Sequence, residues 1–141
     1  MAAMKIRRKA ATPKGFLRRV KDAGFERVSD GRKQPWVVHP MATLLKLGVL
    51  ALTSNARSTR AVEDRSEQLR LRVRAGIGLK ERVSDNAFGL ALQKVDWCEV
   101  RRCLHRHIKA EKRRKRLLPT RMSKSTVAID GKHVATLEEK R

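Results

Sequence analysis

Apolar residues recur every three to four positions along most of the chain, which predicts α-helices. The first helical segment reads "TPKGFLRRVKDAGF". Thr12 is its predicted cap, Pro13 suits the first turn, and Gly24 suits the position just past the end. The preceding residues 1–11 are basic and aperiodic, so they are predicted to form a flexible arm. Residues 26–35 are polar and rich in turn formers, which is typical of a linker.

The next two helical segments differ in how much of their circumference is apolar. The segment "HPMATLLKLGVLALTSNARS" begins near Pro40 and is apolar almost all round, as expected for the central helix of a bundle. Gly48 within it would allow a neighbouring helix to approach closely. The third segment opens at Ser58 and continues through "TRAVEDRSEQLRLR" as one amphipathic helix. Its predicted face consists of Ala61, Val62, Arg65 and Leu69.

Two further helices are predicted before Pro119. Ser84 or Asp85 can cap the fourth helix by accepting free backbone amides. Its predicted inner face is Ala87, Phe88, Ala91, Leu92 and Val95. The fifth helix follows Asp96. Its predicted helical row is Trp97, Val100, Leu104, His107, Ile108 and Glu111.

The pattern changes to strand only after Thr126, where "TVAID" and "KHVATL" predict a β-hairpin. A late switch from helices to strands marks a second domain or the beginning of one. The sequence therefore predicts a mainly α fold, with a flexible arm at 1–11 and a helical region at 12–118. The segment 119–141 would be the first hairpin of an incomplete second domain.

Charge narrows the possible partners. The chain of 141 residues has a formal net charge of +21, which is difficult to tolerate unless a polyanion neutralises it. Residues 1–35 carry 11 Lys or Arg and 3 Asp or Glu, and residues 101–121 carry 10 and 1. The stretch 36–100 between them carries 10 and 7 and is nearly balanced. This distribution favours a nucleic-acid partner.

Other classes of protein are disfavoured by what the sequence contains. The start Met1–Lys9 has no apolar core of the kind found in secretory signals. The longest apolar stretch, Met41–Thr53, is short and contains Lys46, which argues against a membrane partner. Cys98 and Cys103 are separated by about 140° on a helix, so a mutual disulfide is not expected. We expect a cytoplasmic protein.

The carboxylate of Asp130 directly follows the strand-like run Thr126–Ile129. An unpaired charge at such a position is costly, and binding a divalent metal would offset that cost. The competing interpretation is an ordinary turn, because Asp followed by Gly is common in turns for conformational reasons alone. The spacing by itself favours the turn.

The run "KRRKR" at Lys112–Arg116 ends the fifth helix. Either it contacts phosphates, or it is a solvated helix end whose cations suit the helix dipole. So many adjacent cations exceed what the dipole requires, which favours phosphate contact. The same run fits a nuclear import signal, a weaker alternative. The predicted DNA-binding residues are Arg106, Lys109, Lys112, Arg113, Arg114, Lys115, Arg116 and Lys132.

Two other candidate sites are weaker. Asn86, Gln93 and Lys94 on the fourth helix could read bases, but the link from the preceding helix is too long for a helix-turn-helix, and a core helix is favoured. Four possible metal ligands would lie on the fifth helix and point around it: Cys98, Cys103, His105 and His107. Cys103 and His107 share a face, but two ligands make a poor site, so zinc is not expected. Stacking of single-stranded bases is also disfavoured, because the chain has no Tyr and few aromatics.

Three stretches, taken in order, carry a resemblance to a known family. They are "HPMATLLKLGVLALTSNARSTRAVEDRSEQL", "RVSDNAFGLALQKVD" and "STVAIDGKHVATL". Together they resemble the N-terminal part of bacterial insertion-sequence transposases of the DDE type. In that family a helical region precedes an RNase-H-like catalytic domain, whose first strand ends in a motif similar to "AIDGK".

The resemblance implies a role for Asp130 as the first catalytic aspartate and as a ligand of Mg²⁺. The family's second Asp and its Glu lie farther downstream, so this chain is expected to be inactive alone. The implied partner is double-stranded DNA at transposon ends, with full-length transposase or a second copy as protein partners, in the nucleoid. The alternatives are a stand-alone regulator of transposition without catalytic activity and a general basic nucleic-acid binder.

Overall fold

The computed structural model describes residues 13–33 and 37–115. The described residues form six α-helices and one short 3-10 helix. The α-helices are α1 (Pro13–Asp22), α2 (Met41–Thr53), α3 (Thr59–Gln68), α4 (Leu71–Ile77), α5 (Asp85–Lys94) and α6 (Trp97–Arg113), and the 3-10 helix is Phe25–Arg27. Within the described ranges there is no β-strand, only an isolated bridge between Asp30 and Val95. The mainly helical prediction is confirmed. The predicted hairpin, like the arm at 1–11, lies outside the described residues.

Helix α2 is the centre of the bundle, as its apolar circumference predicted. It packs against α1, α3, α4, α5 and the 3-10 helix. Leu44 and Leu47 are almost completely buried. A Cβ added at Gly48 would lie 3.3 Å from Cζ of Phe88, so the glycine does allow α5 to approach. The one cation buried in α2, Lys46, forms an ion pair with Glu26.

The glycine predicted to end α1 and the residues predicted to cap the N-termini of α3 and α5 have these roles in the structure. Gly24 adopts the left-handed conformation with φ of 74°, which ends α1. The hydroxyl of Ser58 accepts a hydrogen bond from Ala61 N, and that of Ser84 accepts one from Ala87 N. Of the predicted inner face of α5, Phe88, Ala91 and Val95 are buried, and the other two residues are partly buried against the core.

The long third helix predicted from Ser58 is wrong, because the structure divides it into α3 and α4. Leu69 and Arg70 adopt extended conformations, with ψ of 131° and 145°. Helix α3 packs against α2 and α5, whereas α4 packs against α1 and α2. A single straight helix could not reach both sides of α2, so packing overrides local helix propensity at Leu69.

The segment predicted as a linker, 26–35, contains no α-helix in its described residues 26–33, but these residues pack against the bundle. Val28 is buried, and Asp30 bridges to Val95 at the end of α5. Asp30 also accepts hydrogen bonds from the Arg32 guanidinium, which in turn donates to the carbonyl of His39. The guanidinium holds the pKa of Asp30 below its usual range. This polar segment is therefore fastened to the bundle by its side chains.

The row predicted for α6 is only partly correct. Val100 and Glu111 are buried, but Trp97, Leu104 and Ile108 are 55%, 41% and 51% exposed. The inward row of the helix is displaced around its axis, toward Cys103 and the half-buried His107. A periodic pattern gives the faces of a helix but not which face meets the protein.

The chain divides into two compact units, residues 1–110 and residues 111–141. The boundary falls in the last turn of α6. All the helix packing described above belongs to the first unit, and only residues 111–115 of the second unit are described.

Candidate nucleic-acid interface

Helix α6 begins at a carboxylate cap. The Oδ1 atom of Asp96 accepts hydrogen bonds from Cys98 N at 2.8 Å and from Glu99 N at 3.3 Å. These are among the first amides of the helix, which have no partner within it. The cap and the favourable charge at the N-terminal end start the helix at Trp97.

The first two turns of α6 are fastened to other parts of the first unit. The carboxylate of Glu99 accepts hydrogen bonds from Ser29 N at 2.6 Å and from Ser29 Oγ at 2.8 Å. These two bonds, led by that from the backbone amide, lower the pKa of Glu99. Cys103 is 1% exposed, and its thiol donates to the carbonyl of Gly24 at 3.4 Å. Val100 is buried between these two anchors.

The side of α6 that faces away from these anchors is basic and exposed. Five residues form what we call the basic face: Arg101, Arg102, His105, Arg106 and Lys109. At 100° per residue they occupy a sector of about 140° around the helix axis. The two acidic residues of α6 are engaged elsewhere, Glu99 with Ser29 and Glu111 with Arg114.

Arg106 is oriented by the helix itself. Its Nε donates to the carbonyl of Arg102 at 3.3 Å, and its Nη2 lies 3.3 Å from the Sγ atom of Cys103. The guanidinium is thus held at the edge of the basic face that is nearest the bundle. An arginine held in this way loses less side-chain entropy when it binds an anion than a fully flexible one.

Of the predicted DNA-binding residues, Arg106 and Lys109 lie on the basic face. Lys112, Arg113, Arg114 and Lys115 are exposed in the second unit, where Arg114 donates to Glu111. Arg116, Lys132 and Asp130 lie outside the described residues, so the predicted Mg²⁺ ligand cannot be placed with the basic face.

The prediction missed Arg101 and Arg102, which the structure adds to the basic face. The signal that could have identified Arg102 is its helical spacing from two other basic residues. Arg102, His105 and Lys109 are separated by three and four residues, so they lie along one line on a helix. The dense "KRRKR" run predicted a site at the end of α6, whereas the cations at regular helical spacing lie in its middle.

A second basic row lies on α1. Lys14, Arg18 and Lys21 recur at intervals of four and three residues, and all three are exposed. Helix α5, in contrast, presents Asn86, Gln93 and Lys94 to solvent, while Phe88 and Ala91 fix its other side in the core. The exposed side of α5 carries one cation, so it is less basic than α1 and α6.

Other chemistry finds little support in the described part of the chain. There, no three His, Cys, Asp or Glu side chains come together in a way that could hold a metal ion. Within the same ranges, no helix combines the length and apolar character needed to cross a bilayer.

Comparisons with protein-family models, with curated proteins and with solved structures find no match to this chain. The resemblance to insertion-sequence transposases therefore stays a prediction that depends on the quoted motifs.

Proposed function

We propose that this chain is the N-terminal part of a DDE-type transposase and that its helical unit binds the duplex ends of a transposon. The single observation that supports DNA binding best is the basic face of α6. It combines exposed cations with a fixed helical scaffold and contains no carboxylate. The net charge of +21 agrees with a polyanionic partner.

The transposase assignment is supported by the order of three motifs along the sequence. Their helical parts coincide with α2, α3 and α5, including the caps Ser58 and Ser84. The third motif contains Asp130, for which we propose the role of first catalytic aspartate, with Lys132 on the DNA nearby.

Mg²⁺ bound with the help of Asp130 would supply the Lewis acid for cleavage and transfer of DNA strands. A single carboxylate cannot hold two such ions. Cleavage and strand transfer would therefore require the full-length protein, which also carries the family's second Asp and its Glu. The protein would act in the cytoplasm, at the nucleoid.

The experiment compares two triple variants that carry the same net charge. In the first, Arg101, Arg102 and Lys109 are each replaced by Gln. In the control, the exposed cations Arg60, Arg72 and Lys80 of α3, α4 and the following loop are replaced by Gln instead. The probes are a fluorescent duplex carrying the inverted repeats that flank the coding sequence and a duplex of shuffled sequence. Fluorescence anisotropy in 0.15 M salt gives the Kd for each.

Removing one cation that contacts DNA should weaken binding by roughly fivefold at 0.15 M salt, so the basic-face variant should bind about 100-fold more weakly. The affinity of the control variant should fall by less than about fivefold, because its charges act only over a Debye length of about 8 Å. If both variants lost the same affinity for DNA, the basic face would not be the DNA-binding surface. If the Kd were the same for the two duplexes, the proposed recognition of transposon ends would be wrong.

A second candidate function is that of a regulator that binds DNA, or full-length transposase, without catalysis. It is favoured by the first unit, because every buried member of the core cluster in the described part of the chain lies between Ala23 and Cys103. A regulator should occupy the ends with the same preference and lower the strand transfer by added full-length transposase. A transposase fragment that only awaits its catalytic domain should not inhibit in that assay at concentrations below its Kd for DNA.

A further inference from the structure

One line of side chains runs along the middle of the basic face. Cys98, Arg102, His105 and Lys109 are spaced by four, three and four residues, and all are exposed. We call them the central row. At 100° per residue they stay within about 60° of one another. Arg101 lies about 60–70° to one side of the centre of the row, and Arg106 lies about 70° to the other side.

The central row is directed away from the bundle. The contacts that fasten α6 come from Glu99, Val100 and Cys103, none of which belongs to the row. Cys103 is 1% exposed, whereas Cys98, five residues before it, is exposed. Helix α6 is therefore a rod with one side packed against the protein and the opposite side exposed to solvent.

The dimensions of this rod match one groove of duplex DNA. A helix with its side chains is about 10–12 Å across, the major groove is about 12 Å wide, and the minor groove is only about 6 Å wide. From Cys98 to Lys109 the row is about 16 Å long, since each residue rises by about 1.5 Å. That length corresponds to roughly five base pairs.

The cations of the basic face also divide into two sets by their position around the helix. Arg and Lys are the side chains that most often read a base in the major groove, through O6 and N7 of guanine. Those in the central row would meet base edges. Arg101 and Arg106, on either side, would meet the phosphates of the two strands, which position a protein without reading sequence.

We propose that α6 enters the major groove of DNA with its central row toward the bases and with Arg101 and Arg106 on opposite strands. Arg102 and Lys109 then read guanines, and His105 contacts the base pair between them. The inference rests on the proposed DNA binding and adds to it which groove is entered and which residues determine specificity.

The first test uses the two cysteines as a built-in pair of probes. A duplex is selected from a random library by the purified chain, and N-ethylmaleimide is added with and without that duplex. Mass spectrometry then follows the modification of each thiol. In the groove, Cys98 should react at least about tenfold more slowly, while buried Cys103 stays unmodified in both states. An unchanged rate at Cys98 in the complex would overturn the proposal.

The second test identifies the groove. Guanines of the selected duplex are methylated at N7, which lies in the major groove. The bound and free fractions are then compared, and methylation within a run of about five base pairs should exclude DNA from the complex. A selected site without guanine, or one that tolerates N7 methylation but is displaced by a minor-groove ligand, would contradict entry into the major groove.

The third test separates reading from positioning. Arg102→Gln should reduce the preference for the selected guanine over other bases by about tenfold or more. Arg101→Gln should weaken binding to every sequence by roughly fivefold at 0.15 M salt and reduce the salt slope by about 0.9, with the preference unchanged. Circular dichroism and the urea midpoint would establish that each variant folds.

The outcomes distinguish the inference from the proposed function beneath it. If no duplex is retained in the selection, DNA binding itself fails. If duplexes are retained but show no common sequence, or if both variants weaken all sequences equally, DNA binding stands and the central row does not read bases.

Discussion

The pentapeptide Glu-Arg-Val-Ser-Asp occurs twice in this protein, at residues 26–30 and at residues 81–85. The first copy follows α1 and the second precedes α5. Identical local sequence gives different conformations, since the first copy begins within a 3-10 helix and the second ends at the start of an α-helix. Comparing the two copies shows how the surrounding structure determines which contacts each side chain makes.

The first copy uses its Glu and its Ser to hold other elements. Glu26 pairs with Lys46 of α2, and that hydrogen bond lowers the pKa of Glu26. Ser29 donates twice to Glu99 of α6. Arg27 is exposed. This copy therefore links α2 and the candidate interface on α6.

The second copy uses its Arg and its Ser instead. Arg82 pairs with Glu63 of α3, while Glu81 is exposed. The hydroxyl of Ser84 does not reach another element but caps α5 through Ala87 N. Between Glu and Arg, the member that forms an ion pair is thus exchanged between the copies, while Asp30 of the first copy also pairs with Arg32.

The valine is the buried member of both copies. Val28 is 7% exposed and Val83 is 0% exposed. Burial of an apolar side chain is non-directional and depends on the area removed from water, whereas an ion pair needs a partner of the right sign at the right distance. The comparison teaches that the apolar position is reliable in a sequence and that the polar positions depend on neighbours.

The largest effect should come from truncating the two valines. Val83→Ala should lower the free energy of unfolding by about 2 kcal/mol, because the fully enclosed site leaves a cavity. Ser66 Oγ accepts from Val83 N at 3.1 Å and fixes the backbone there, so the site cannot collapse easily. Val28→Ala should cost about 1 kcal/mol, since Val28 is less completely enclosed than Val83, with 7% of its surface exposed.

Urea unfolding followed by circular dichroism measures both variants under identical conditions. If Val28→Ala proved as costly as Val83→Ala, the two sites would be equally rigid, and the contrast drawn between the copies would not hold for their apolar member.

The serines should show a smaller contrast. Ser84→Ala removes a helix cap and should cost about 1 kcal/mol of stability. Ser84→Asp retains a capping oxygen and should stay within a few tenths of the natural protein. Ser29→Ala removes an exposed contact to another element and should cost less than Ser84→Ala. Thermal unfolding of the four proteins measures the order, and a higher cost for Ser29→Ala would reverse the assigned roles.

The smallest effect should be a pH dependence at the first copy. Because Ser29 lowers the pKa of Glu99 below its ordinary value of 4.5, the contact stabilises the protein above that value. The stabilisation is lost as the pH falls through the still lower pKa of the folded state. The NMR signal of the Ser29 amide should therefore shift with a midpoint below 4.5.

Glu99→Gln is the matched control for that titration, because it retains the size of the side chain without the proton. Its Ser29 amide should show no such step. A step that persists in Glu99→Gln would assign the titration to another carboxylate, with Asp30 the nearest in sequence.

The sequence predicted where the helices begin and end better than it predicted what they pack against. The caps at Ser58 and Ser84 and the left-handed glycine at Gly24 depend on a few neighbouring residues, so local reasoning found them. The break at Leu69 was missed because nothing in "SEQLRLR" disfavours a helix. It exists because α3 and α4 pack on different partners.

The sequence located only part of the basic face, and phosphate contact there stays a prediction. Excess charge near the end of the helical region indicated phosphate contact from the sequence alone. The basic face was found less completely, because the inward side of α6 is set by Cys103 meeting Gly24 and by Glu99 meeting Ser29. Those contacts join residues 79 and 70 positions apart, which no local pattern contains.

By itself, the sequence determined that this chain is basic, that it is mainly helical, and where its capped helices begin. These properties follow from side-chain charge and from hydrogen bonds within a few residues. Only the tertiary structure decided which Glu or Arg finds a partner, where the third helix divides, and which side of α6 stays open. Those outcomes depend on groups brought together by packing, because a charge or a helical face acquires its role from what lies against it.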